Sequence, residues 1–423
     1  MTDSSMTAAD DVATATPRPF HRRSERALDA ATFCLADVAD GLGPFLVIDL
    51  TSRRGWSAAD AGAAMSMLLI GTVVSQSFTG SWIDGTRHKR TAIAVGALLV
   101  AFATLGLYYA TAREAIFTLQ AITGVVATIF PPAIAAISLG LVGRLRFPAR
   151  VGRNEACFHA GNVTAAVIAI TLSRALGNVG IFYGVAMMAV FSAIAVLLIR
   201  ERDIDHVLAR GADGEADAGR AVSRWSIVTD RRILLFAAAV VLFHFANAAM
   251  LPLVGQKVGH TTPDIASTLM AVCIIVAQVT MIPVAILASK FAVMRRKPVL
   301  LVGFCVLPLR GLLYTLTDSP VLLIGNQILD GIGAGIFGVV AVLMIADLTR
   351  GTGRFNFAQG VVATSIGLGA ALSNYVTGLI VDARGFDAGF LFLSTVAVGA
   401  ALLLALGVGE TAPHVTGFQA KHS

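Results

Sequence analysis

Apolar residues run along this chain in blocks of about 20, separated by short polar stretches, and that alternation predicts its elements. A helix rises about 1.5 Å per residue, so about 20 residues cross the roughly 30 Å apolar core of a bilayer. Twelve such blocks are read, at about 28–50, 59–83, 91–112, 115–142, 155–175, 178–200, 232–255, 263–288, 298–317, 320–346, 356–381 and 386–408. Between the sixth and seventh lies Glu201–Arg231, charged and rich in Gly and Ala. The expected architecture is an all-α, polytopic membrane protein of twelve transmembrane helices. It comprises a tail (1–27), a six-helix bundle (28–200), a linker (201–231), a second six-helix bundle (232–408) and a tail (409–423).

Composition reinforces this picture. Of 423 residues, 56% are hydrophobic and 14% charged, whereas a soluble domain carries about a quarter charged residues. The polar surface is too small to coat a water-soluble body of this size. The formal net charge is +6, but the cations sit in loops, as orientation signals do, and form no phosphate-binding face; nucleic acid is excluded as a partner. Only Arg53, Arg54, Arg113, Arg174, Lys257 and Arg384 of the 32 Lys and Arg fall in the turns of one side. Nearly all the others fall in the tails, the linker and the turns of the opposite side. By the positive-inside rule both termini are cytoplasmic. Cys34, Cys157, Cys273 and Cys305 lie inside apolar blocks without a CxxC pair and read as small buried hydrophobes, so no metal is expected. The stretch Met1–Arg26 has no apolar region and reads as a tail rather than a leader. Usage rich in Ala, Gly and Arg points to a bacterial inner membrane.

The halves echo each other. Gln120–Gly124 in the fourth block matches Gln327–Gly331 in the tenth, Gly106, Leu107 and Tyr109 match Gly311, Leu312 and Tyr314, and Gly152-Arg153-Asn154 echoes Gly353–Asn356. Three echoes in order point to a duplicated six-helix unit, an arrangement that places a solute site at the repeat interface near the bilayer midplane. Between the second and third blocks lies Gly80-Ser81-Trp82-Ile83-Asp84-Gly85-Thr86-Arg87-His88-Lys89-Arg90. Its acid stands where a helix ends, placed to tie down neighbouring cations or a facing helix N-terminus. Six plus six blocks, the long linker and this turn resemble the major facilitator superfamily from about residue 28 to 408. Gly80, Asp84 and Lys89 match that family's loop motif, while Gly85, Arg87 and His88 depart from it. The resemblance implies rocking-bundle transport, with Gly80, Asp84, Arg87, Lys89 and Arg90 as a gating motif that stabilises the outward-facing state. Gln120 stands where the family's drug/proton antiporters often carry Arg, and Ala160-Gly161-Asn162-Val163 lacks their Gly-Pro signature.

Ionisable and polar groups at membrane depth cost several kcal/mol unless paired or hydrated, so they are the candidate functional groups. Asp37 and Asp40 share one helical face in the first block and are read as proton-coupling acids, the alternative being hydrated residues at a cavity mouth. Asp330 is a third candidate for coupling, expected to pair with Arg310, a group suited to an anionic solute; the alternative is a helix staple. Gln120, Gln327, Asn247, His244, His159 and Asn162 complete the candidate binding set, against the plainer reading of interhelical hydrogen bonds or satisfied core histidines. Glu155 is expected at the cytoplasmic mouth with Arg150 or Arg153. No nucleotide loop, nucleophile set or metal cluster is present, so the chain is read as a cofactor-free, monomeric, proton-coupled secondary transporter and not an enzyme. Its partners are a small molecule, protons and the lipid bilayer. Efflux by antiport, favoured by the span-one acids, is the leading reading; the alternatives are uptake of a small anionic metabolite by symport, favoured by Arg310, and a non-transporting sensor or assembly protein.

Overall fold

The computed structural model describes residues 21–40, 42–213, 221–261 and 263–412, and every regular element among them is helical. Twelve principal helices follow the hydropathy blocks. The first six are α1 (Arg22–Asp40), α2 (Ala58–Gly85), α3 (Lys89–Tyr109), α4 (Arg113–Ala127), α5 (Phe130–Leu176) and α6 (Val179–Leu197). The second six are α7 (Arg231–Ala248), α8 (Pro263–Phe291), α9 (Arg296–Leu313), α10 (Gln327–Leu348), α11 (Phe355–Arg384) and α12 (Phe386–Gly407).

Nine helical stretches among the described residues are long and apolar enough to cross a membrane. One of them, Arg113–Leu176, runs 64 residues, about three times what a single crossing needs. It folds back at Gly143, whose φ of 73° no β-carbon accepts easily, so it supplies two passes. The remaining two passes are α1 and α9, which carry too many charges to qualify on apolarity alone. Two of the acids of α1 have partners: Arg146 holds Glu25 at 2.8 Å, and Arg150 and Arg153 both grip Asp29.

Several blocks break within the bilayer, each for a local reason. After α1 the chain restarts as Gly43–Ile48 with a proline in its first turn, where a missing N–H costs nothing. The seventh block breaks at Ala249 and resumes as Met250–Thr261. Ser373 on α11 closes that gap, accepting from the Ala249 amide at 3.1 Å and donating to the Phe245 carbonyl at 2.5 Å, because in lipid every freed backbone group needs a protein partner. The tenth block breaks at Asn326, between Pro320–Gly325 and α10.

Packing carries the duplication. Helix α1 lies along α5 and α6, α3 along α4 and α6, and α2 along α4; six helices later α7 lies along α11 and α12, α9 along α10 and α12, and α8 along α10. The two units meet along α2–α11 and α5–α8, the two seams that the repeat exchanges. Lipid offers no hydrophobic drive for helices to associate, so seams rely on small residues and close contact. A β-carbon on Gly80 would strike the Asn356 carbonyl, and one on Gly360 would stand 2.5 Å from the Gln76 carbonyl oxygen. On the outside, Phe78, Phe102 and Leu406 are fully displayed, as a lipid surround demands. This is a multi-pass membrane protein.

Candidate functional site

Three helices of the second unit converge on Arg310. It sits near the C-terminal end of α9, with Asp330 in the first turn of α10 and Asn247 near the end of α7. Arg310 is 1% exposed. Its Nη1 lies 2.8 Å from Asp330 Oδ1 and donates to Asn247 Oδ1 at 2.6 Å, Nη2 donates to Gln327 Oε1 at 3.2 Å, and Nε donates to the Tyr314 hydroxyl at 3.2 Å. Gln327 also donates to that hydroxyl at 2.7 Å, and Asn326 donates to the Arg310 carbonyl at 2.9 Å. The rigid guanidinium fork is thus engaged at all three nitrogens, which makes a buried cation tolerable. Arg310, Asp330, Gln327 and Asn247 form one cluster. Tyr314 and Asn326 belong to it as well; Tyr314 was legible as the residue one helical turn beyond Arg310, and Asn326 as the neighbour of Gln327.

The other candidates lie elsewhere. Gln120, the counterpart of Gln327, is 2% exposed and its amide meets the Met65 sulfur at 3.5 Å, so the matching amides have different surroundings. His244, one turn before Asn247, packs edge-on against Phe337 at 4.7 Å and Phe243 at 5.3 Å. Asn162 is half-buried on α5. Asp37 and Asp40 are carried by α1, but their side chains lie outside the described residues.

A second polar group sits on the α5–α8 seam. His159 Nδ1 is 2.7 Å from Gln278 Oε1 on α8, and His159 Nε2 is 3.7 Å from Glu155 Oε2. Glu155 lies against Gly338 of α10, where a β-carbon would stand 2.6 Å from the carboxylate. Glu155 also lines a cavity of about 180 Å³ bounded by both units, with Asn154, Gln359 and Thr32 as its other polar groups and Phe130 and Phe158 among its apolar ones. The expectation that Glu155 pairs with Arg150 or Arg153 is corrected: Asp29 takes both cations, and Glu155 turns inward.

The third cluster lies where the linker crosses the α2–α11 seam. Asp84, 4% exposed, accepts from the backbone amides of Asn356 at 3.0 Å and Phe357 at 2.9 Å, and from the Asn356 side chain at 2.8 Å. These are the first residues of α11, where orphan amides and the helix dipole favour an anion. Of the two partners its sequence context allowed, Asp84 takes the facing helix N-terminus. Lys89 donates instead to the Thr86 carbonyl at 2.5 Å, Arg90 reaches Glu201 and the Ile199 carbonyl, and Arg87 is exposed. The hydrogen bond from Arg90 holds the Glu201 carboxyl below its ordinary range. Linker residue Asp213 then bridges the units, pairing with Arg144 of α5 at 2.8 Å and with Arg350, just beyond α10, at 3.1 Å.

Two six-helix units, a linker across one face and an acid capping the opposite unit specify a known architecture. The family model of the Major Facilitator Superfamily matches residues 28–325 and 260–422. The chain belongs to this superfamily. An uncharacterised MFS-type transporter of Mycobacterium tuberculosis is 45% identical over 392 residues, covering 92% of this chain and 94% of the relative. The multidrug resistance protein D of Escherichia coli is 30% identical over 118 residues, 28% of this chain and 30% of that protein. Among solved structures, the proton:xylose symporter XylE superposes with a TM-score of 0.69 over 92% of this chain and 96% of that one, at 14% identity. As a superfamily member the protein is a secondary transporter of small molecules and not an enzyme.

Proposed function

We propose that the protein couples proton movement to the transport of a small organic anion across a bacterial inner membrane, with both termini and the linker on the cytoplasmic side. The observation that carries this reading is the Arg310 cluster: one buried guanidinium whose charged partner, among the described residues, is Asp330. Protonating Asp330 removes that negative charge and leaves Arg310 in need of another. A carboxylate or phosphate on the solute supplies it, with Asn247, Gln327 and Tyr314 completing the hydrogen bonds. Proton and anion then bind together and travel in the same direction, which is symport. The Asp84 cap and the Asp213 bridge hold the cytoplasmic side closed while the solute enters from outside.

Efflux by antiport, the direction the span-one acids favour, is the second reading. It is supported by the partial likeness to multidrug resistance protein D and by a carboxylate, Glu155, in an otherwise uncharged cavity, a setting that suits an amphiphilic cation competing with a proton.

Proton exchange by the purified protein on adding a panel of small carboxylates, phosphates and organic amines separates the two. Anion-driven proton uptake that disappears in Asp330→Asn supports symport; proton release on binding an amine favours antiport. Arg310→Ala abolishes anion transport in proteoliposomes, and Arg310→Ala with Asp330→Ala, which leaves no lone buried charge, does so in protein that folds. Normal anion transport by the double variant ends the proposal.

A further inference from the structure

The His159 ring faces an acceptor on each side. Gln278 Oε1 stands 2.7 Å from Nδ1, so Nδ1 carries a hydrogen and donates it across the seam. That leaves Nε2, which has no hydrogen-bond partner, 3.7 Å from a carboxylate oxygen of Glu155. A lone pair facing a carboxylate between a buried ring and a half-buried acid is unfavourable unless one of the two groups holds a further proton. Among the described residues nothing else nearby relieves it. The cavity walls contributed by α1, α10, α11 and the start of α5 bring Thr32, Val342, Gln359 and apolar side chains. Among the described residues, His159 is the titratable side chain within ion-pair reach of Glu155. On the α10 side stands Gly338, and its missing side chain is the space the carboxylate occupies.

We propose that Glu155 and His159 hold one proton between them, forming a second proton-binding centre on the α5–α8–α10 seam, separate from Arg310 and Asp330. Its ligand is a proton alone, and it is built from both units: the acid and ring come from the first, the amide and the accommodating glycine from the second. Because the ring's hydrogen bond and the space for the carboxyl both depend on the seam being closed, the proton is held when the units are together and released when they part.

The test is a potentiometric titration of the full-length protein in detergent without added solute. In the pH range above the ordinary carboxyl value of about 4.3, wild type takes up about one proton more than Glu155→Gln. Glu155→Asp restores the extra uptake. His159→Gln keeps the carboxyl but moves the pH at which the proton leaves. The Glu155→Gln difference is the same in an Asp330→Asn background, so failure here is distinct from failure of the symport reading. If the extra proton appears only below about pH 5, or if His159→Gln leaves the titration unmoved, the shared-proton centre is overturned.

Discussion

The two ends of the molecule are held in opposite ways. At the linker end, polar and aromatic contacts cross between the units: Asp84 caps α11, Asp213 bridges Arg144 and Arg350, and Phe147 meets Phe355 edge-on at 6.1 Å. At the far end, each ion pair among the described residues stays within one unit. Asp49 binds Arg53 and Arg54, Asp60 binds Arg113, and Lys257 binds Asp318 and Asp387. Far-end pairs therefore stiffen a unit, while linker-end contacts set how the units sit together. In this structure the two units are tied together at the linker end.

Substitutions at the two ends and in the cores should separate stability from state. The largest effect is expected at Arg310, inside one unit. Arg310→Ala leaves Asp330 without its charge partner and costs about 3–5 kcal/mol of stability, read as a lower melting temperature in detergent, without changing the distance between labels on the two units at the linker end. Asp84→Ala does the reverse. It removes an acceptor of three hydrogen bonds at a helix N-terminus, worth about 3 kcal/mol together, and shifts the closed-to-open ratio roughly a hundredfold at nearly constant melting temperature. A melting temperature that falls as far as in Arg310→Ala would erase the distinction. Gly80→Ala pushes a methyl into the Asn356 carbonyl and costs about 1–3 kcal/mol of the closed state, read by the same labels. Asp213→Asn is the mildest, since its carboxylate is 38% exposed and solvent screens it. A shift of a few-fold, about 1 kcal/mol or less, is expected, and it fades at high salt.

The sequence made legible what bilayer energetics forces. A charge such as Arg310 at membrane depth must find an acid, and Asp330 was the acid at comparable depth in the adjoining block. The twelve passes follow from the same cost applied to the backbone. Glu155 was illegible for the opposite reason. Two arginines stand within five residues of it, and only the fold reveals that α1 delivers Asp29 to both. The partner of Asp84 was half legible: a helix N-terminus was one of two options, but nothing local identifies α11 as the helix that arrives. Gln120 shows the limit of reading by repeat, since its match to Gln327 holds in sequence while the neighbours each amide meets have diverged.

Gly80 and Gly152 close seams that the internal repeat makes equivalent, yet the ancestral contact has been kept in two dialects. At α2–α11 a carboxylate grips a helix end. At α5–α8 the Gly152 backbone lies against Ser289 and the Ala285 carbonyl, and Lys290–Lys297 offers no acid in the place of Asp84. Gene duplication supplied two identical fasteners, and divergence turned one into a bolt that charge can draw while the other stayed a close-fitted hinge leaf. A door with that hardware has one latch that protons can work and one that they cannot.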